Sequence, residues 1–181
     1  MSDPAQERNE AIGMLARAVA QLAGALDPRL IPEGGLSFGY AIRGARESSG
    51  VAAVEGGIVA GGGGPHAAGP CAFGTDEGIA GIILTAMKFD PRMRSAATIR
   101  DSRRARAVLE DDLFLECAAP APGQVSGGVS TMDWGVASCC RDGVPDAVFR
   151  PAAGGRAAVI ILFGEDPSDV ANNIIICSNR I

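Results

Sequence analysis

Glycine density sets the strongest limit on this fold: ten of the 25 glycines fall between Gly56 and Gly81, with Gly61 to Gly64 in unbroken succession. No long helix can run through such a segment, because each glycine in a helix interior costs about 1 kcal/mol relative to alanine. Short strands joined by tight turns are the remaining option. The stretches Leu36–Ile42 and Val51–Ala60 are β-rich and bounded by glycine or proline. Gly61–Pro65 then reads as a hairpin turn, with His66–Phe73 returning as a strand. A phosphate-cradling loop is a poor reading of the four glycines, since neither a Lys-Ser pair nor G-x-G-x-x-G follows.

Helical periodicity flanks this region. In Gln6–Leu26 the residues Ile12, Leu15, Val19, Leu22 and Leu26 recur at steps of three and four, forming one apolar stripe before Asp27-Pro28 stops the helix. The stripe fits either docking on the chain's own domain or a dimer seam. Thr75 is the expected cap of a second helix running to Lys88, with Asp76 and Glu77 suiting the positive end of its dipole. Further along, Ser95–Arg100 reads as a strand, Ser102–Asp111 as a charged helix and Leu113–Cys117 as a strand. A loop over Ala118–Gly128 precedes a helix opening at Ser130 and running to Cys140. Strands at Asp146–Arg150 and Ala157–Phe163 lead to a last helix from Asp166. This mixture without strict βαβ spacing predicts an α/β domain of three layers, α/β/α, around a mixed, largely antiparallel sheet. The expected organisation is an N-terminal helix and linker over residues 1–30 and a single domain over 31–181.

Composition excludes several functions. Sixteen basic and 21 acidic residues give a net charge of −5, which argues against a nucleic-acid-binding surface. No apolar run is long enough to span a membrane, and the charged start MSDPAQERNE lacks a signal peptide's apolar core, so a cytoplasmic protein is expected. His66 is the single histidine. The five cysteines, Cys71, Cys117, Cys139, Cys140 and Cys177, contain no C-x-x-C, so they read as buried reduced thiols rather than a zinc cage.

Several short motifs follow one another in a telling order. They are Gly39-Tyr40-Ala41-Ile42 with Gly44-Ala45-Arg46, then Val51-Ala52-Ala53-Val54-Glu55-Gly56, Gly69-Pro70 and Phe73-Gly74. The run Ile82-Ile83-Leu84-Thr85-Ala86-Met87-Lys88-Phe89-Asp90-Pro91 comes next, then Ile99-Arg100, Trp134-Gly135, Val144-Pro145-Asp146 and Gly164-Glu165-Asp166-Pro167. Together they resemble the archaeal thiamine-phosphate synthase domain of the ThiN type, from about Ile31 to the C-terminus. The resemblance implies a fold akin to class II aldolases. It also implies a reaction in which an aminopyrimidine methyl diphosphate loses pyrophosphate and a thiazole phosphate nitrogen attacks the resulting cation. Cationic groups must then face the departing diphosphate, where negative charge develops. Aldolase chemistry is not expected, because one histidine cannot supply that family's zinc ligands.

The same resemblance implies departures at the site. The family's catalytic arginine follows Val-Glu-Gly, where Gly57 stands, and its histidine lies in the first turn after Phe-Gly, where Gly78 stands. Glu77 occupies a position often basic. Ser37 and Thr98 stand near positions where the family carries asparagine, and Arg156 loosely matches a late lysine. One charge pair at about 4 Å is worth roughly 4 kcal/mol at an effective dielectric near 20, so these losses weaken diphosphate binding. With no catalytic residue assigned, the expected ligand-binding set is Ser37, Gly39, Arg46, Lys88, Arg100 and Arg156, for a small-molecule phosphate ester. Each cation could equally be a structural ion-pair partner. No cofactor is implied, although Mg2+ could accompany a diphosphate through its own oxygens. Three functions remain open: a binding domain with impaired synthesis, an active synthase with rearranged residues, and a non-catalytic scaffold or subunit. A homo-oligomer is compatible with each.

Overall fold

The computed structural model describes residues 3–120 and 132–181. Helix α1 (Pro4–Ala25) starts at Asp3, whose side chain accepts a hydrogen bond from the Ala5 amide, and has proline in its first turn. Its apolar stripe docks on the chain's own sheet and on the last helix. Leu15, Val19 and Leu22 are buried in the larger core cluster together with Phe38, Ile99 and Ile174. The N-terminal helix therefore shares one core with the region expected to begin at residue 31.

The main sheet contains β1 (Phe38–Ala41), β2 (Val51–Val54), β5 (Cys71–Phe73), β6 (Ser95–Arg100), β7 (Cys117–Ala118), β8 (Ala147–Arg150) and β9 (Val159–Gly164), in the order β5-β2-β1-β6-β9-β8-β7. Every pairing is antiparallel except β7 with β8. A separate hairpin pairs β3 (Ile58–Gly61) with β4 (Gly64–Ala67). The α/β class and the mostly antiparallel sheet match the sequence expectation.

Glycine and proline divide this region more finely than expected. The stretch Val51–Ala60 splits into β2 and β3 because Gly56 (φ 78°) and Gly57 (φ 73°) both adopt left-handed backbone, turning the chain out of the main sheet. His66–Phe73 likewise splits into β4 and β5 around Gly69-Pro70, each half pairing with a different strand.

Side-chain alternation assigns the two faces of the sheet. Phe38, Tyr40, Ala97, Ile99, Ile160 and Leu162 join the cluster of α1 and α5 (Pro167–Arg180). Their neighbours Ala41, Ala53, Ala96, Ile161 and Phe163 join α2 (Glu77–Phe89) and α4 (Trp134–Ser138). Gly39 permits the close approach of α2, since a Cβ there would meet Ile83 Cδ1 at 3.1 Å and Ile79 Cγ2 at 3.2 Å.

Several local expectations need correction. Asp76, not Thr75, caps α2 by accepting from the Ile79 amide, while the Thr75 hydroxyl donates to the Ala53 and Ala72 carbonyls. The charged helix α3 (Arg103–Ala107) passes into a π-helical turn, Val108–Asp112. Leu113–Cys117 is not a strand; only Cys117–Ala118 pairs, and Phe114 adopts φ 53°. Asp133 caps α4, while the expected helix start at Ser130 and residues 121–128 of the expected loop lie outside the described residues.

Candidate functional site

The register of four strands builds one polar strip on the face that carries α2 and α4. Thr98 lies two residues beyond Ala96 and pairs with Ile161. Beside it, the Ser37 amide donates to Thr98 Oγ1 at 3.2 Å, and the Thr98 amide donates to the Ser37 carbonyl at 2.9 Å. Two positions marked by the family resemblance, 61 residues apart in sequence, are thus adjacent. One pleat further along, Arg100 opposes Val159, and Val159 opposes Arg150. Arg100 and Arg150 therefore stand two strands apart on one face, about 10 Å between backbones at ordinary strand spacing.

Arg150 forms an ion pair with Asp133, and both side chains are largely shielded from solvent. The Asp133 amide donates to Thr85 Oγ1 at 2.9 Å, and that buried hydroxyl donates to the Gly81 carbonyl at 2.7 Å. Asp133 also accepts from the Val136 amide. This relay ties α2, α4 and β8 together and fixes one guanidinium at the strip's end. A fixed guanidinium suits bidentate recognition of a phosphate. Asp133 and Arg150 escaped the sequence reading. The available signal was an aspartate placed directly before the Trp134-Gly135 motif.

The residues expected to bind ligand fall on several different elements. Ser37 and Arg100 lie in the strip, although Arg100 Nε donates to the Ile31 carbonyl at 3.0 Å and so has a structural duty. Gly39 is buried beneath α2 in a packing role. Arg46 is exposed in the β1–β2 loop, Lys88 is exposed in the last turn of α2, and Arg156 lies in the β8–β9 connection. No hydrogen bond or ion pair among the described residues joins these three. Gly78 is exposed in the first turn of α2, and a Cβ there would meet only Asp76 Oδ1, at 3.4 Å. Gly57 differs: its φ is 73°, and a Cβ would lie 2.8 Å from the Leu36 carbonyl oxygen.

Among the described residues, no group of three or more His, Cys, Asp or Glu side chains is placed to hold a metal ion. Burial pushes the thiols up; Cys117, Cys140 and Cys177 reach about 11. Among the described residues, no helix is long and apolar enough to cross a membrane.

With this geometry in view, the family model for thiamine-phosphate synthase ThiN matches residues 14–176. The chain belongs to the ThiN family. The ThiN match begins inside α1, in keeping with the shared core. The bifunctional thiamine biosynthesis protein ThiDN of the archaeon Methanocaldococcus jannaschii is 30% identical over 148 residues, covering 80% of this chain and 35% of that protein. The chain thus spans about a third of that relative's length. The crystal structure of the C-terminal domain of protein MJ0236 superposes with a TM-score of 0.85 at 27% identity, covering 95% of both chains. That of the C-terminal domain of phosphomethylpyrimidine kinase gives 0.85 at 28% identity, over 94% of this ThiN chain and 100% of the other.

Proposed function

We propose that this ThiN domain binds thiamine monophosphate or a related phosphorylated thiamine precursor, and that its synthase activity is impaired. The observation carrying the second half is Gly57. At the position where the resemblance implies an arginine, the backbone is left-handed and packs against the Leu36 carbonyl, which leaves no room for a Cβ. Gly78 removes the second implied group, and Glu77 adds a carboxylate in the same turn. Leaving-group stabilisation is therefore reduced, since one electrostatic donor is typically worth about 100- to 1000-fold in rate. Ligand binding is assigned to the strip of Ser37, Thr98, Arg100 and Arg150. The expected layering of helices on both sides of the sheet, like that of class II aldolases, belongs to this reading, as does a cytoplasmic location. Mg2+ enters only with a diphosphate ligand.

An active synthase is the second reading, favoured by a family match that spans nearly the whole chain. Positioning alone can support a reaction whose electrophile ionises unaided. One experiment separates the two. Thiamine monophosphate at saturation should raise the melting temperature by several degrees, while the pyrimidine diphosphate and thiazole phosphate together should give slow or undetectable product. Turnover at about 1 per second or faster establishes the active synthase instead. Neither a thermal shift nor turnover leaves the scaffold reading.

A further inference from the structure

Helix α3 and its π-helical turn form one ten-residue segment whose charges run against its own dipole. Arg103 and Arg104 occupy the first turn, and Glu110, Asp111 and Asp112 the last. A helix terminus favours the opposite signs at both ends. Two of the segment's charged groups are satisfied within the chain. Arg106 pairs with Asp101 at 2.6 Å, and Asp112 pairs with Arg180 at 3.2 Å. Arg103, Arg104, Glu110 and Asp111 are all exposed, and among the described residues they make no side-chain hydrogen bond or ion pair.

These four share one face. Arg103, Arg104, Ala107, Glu110 and Asp111 form an exposed stripe opposite the buried Ala105, Val108 and Leu109, continuing from α3 into the π-helical turn. Ala107, also exposed, stands at the stripe's centre. Just past the acidic end, Phe114 is 84% exposed at φ 53°, the one positive φ outside glycine among the described residues. Left-handed backbone is unfavourable for an L-residue, and here the isolated chain leaves the ring largely exposed in return. A solvated helix face accounts for exposed charge, but not for this order of charge or for the phenylalanine.

We propose that this face is the interface of a two-fold symmetric homodimer. A two-fold axis through Ala107 lays the segment antiparallel on its copy. Arg103 and Arg104 then meet Asp111 and Glu110 of the second chain, and the same pairs recur by symmetry. The small Ala107 lets the two helices approach at the axis. The antiparallel arrangement supplies each misplaced charge with its opposite. Phe114 lies at the edge of the patch, where the second chain's arginines are within reach of its ring.

Sedimentation of the full chain, in a series up to about 100 μM, tests this. The wild type should show the mass of two chains and dissociate as salt rises. Arg103→Glu with Arg104→Glu, or Glu110→Arg with Asp111→Arg, should weaken the dimer at least about 10-fold. An equimolar mixture of these two variants should form a heterodimer. All four changes in one chain should restore the homodimer, which shows that the reversals leave the fold intact. Phe114→Asp should weaken association as well. A wild type that stays monomeric throughout, or a dimer indifferent to the single-sign reversals, overturns the proposal.

Discussion

Gly57 holds its turn against Leu36 so closely that a Cβ would stand 2.8 Å from the Leu36 carbonyl oxygen. The same two residues are joined through the neighbouring ladder, where the Leu36 and Ile58 amides each donate to the other's carbonyl. The contact that leaves no room for a side chain is thus part of how β1 meets the hairpin.

Restoring the two side chains implied by the family should therefore give unequal results. Gly57→Arg forces left-handed strain and a backbone overlap, so a loss of roughly 2–4 kcal/mol is expected in thermal or denaturant unfolding. Gly78→His should be neutral to about 0.5 kcal/mol stabilising, because the site is open and a helix prefers most residues to glycine. Synthase assays of the folded Gly78→His variant should show at most a small gain. A stable Gly57→Arg variant with wild-type melting behaviour would refute the packing account.

The Asp133–Arg150 pair should be structurally expensive to break. Asp133→Ala removes the α4 cap as well as the pair, and about 2–3 kcal/mol of destabilisation is expected given partial solvent access. Arg150→Met keeps most of the volume, so it should cost less stability while abolishing the thermal shift caused by thiamine monophosphate. A shift that survives Arg150→Met removes this arginine from the ligand site.

Thr98→Val should leave the Ser37 amide without its acceptor, at a cost of about 1 kcal/mol. Calorimetric titration of thiamine monophosphate into this variant should show weaker binding than wild type. Unchanged affinity would place the ligand elsewhere than the strip.

Alkaline pH should destabilise the fold through its buried thiols. Burial raises Cys140 and Cys177 from an ordinary value of 9.0 to about 11, and burial with nearby carboxylates does the same for Cys117. The folded state therefore keeps protons that the unfolded chain releases. Stability is unaffected below about pH 9 and falls as pH rises from there to 11. Melting temperatures across that window should decline, and Cys177→Ala should make the decline shallower. An equal slope in the variant would exclude this thiol as a cause.

Helix α1 should prove indispensable, because Leu15 and Leu22 are fully buried in the core that includes the sheet. Leu15→Ala or Leu22→Ala should each cost about 2–5 kcal/mol, and removal of the residues before Asp27 should prevent cooperative unfolding. A truncated chain with a sharp thermal transition would show that the helix is an accessory.

Local chemistry explains which elements were legible in the sequence. The stripe of α1, the Asp166-Pro167 start of α5 and the strand at Ser95–Arg100 follow from periodicity and capping groups that act within a few residues. Motif order alone indicated the ThiN family, because that signal is written along the chain. Competition between nearby residues hid the rest. Thr75 and Asp76 both fit a cap, and the choice was made when the carbonyls of Ala53 and Ala72 took the threonine hydroxyl.

The sequence by itself determined the α/β class, the short strands around the glycines, the ThiN membership and the absence of arginine and histidine at Gly57 and Gly78. Tertiary structure alone decided that Ser37 meets Thr98 and that Asp133 holds Arg150. The reason is physical. Capping, periodicity and turn formation depend on groups close together along the chain, whereas a site depends on strand order and register, and these are set by the burial of both sheet faces at once.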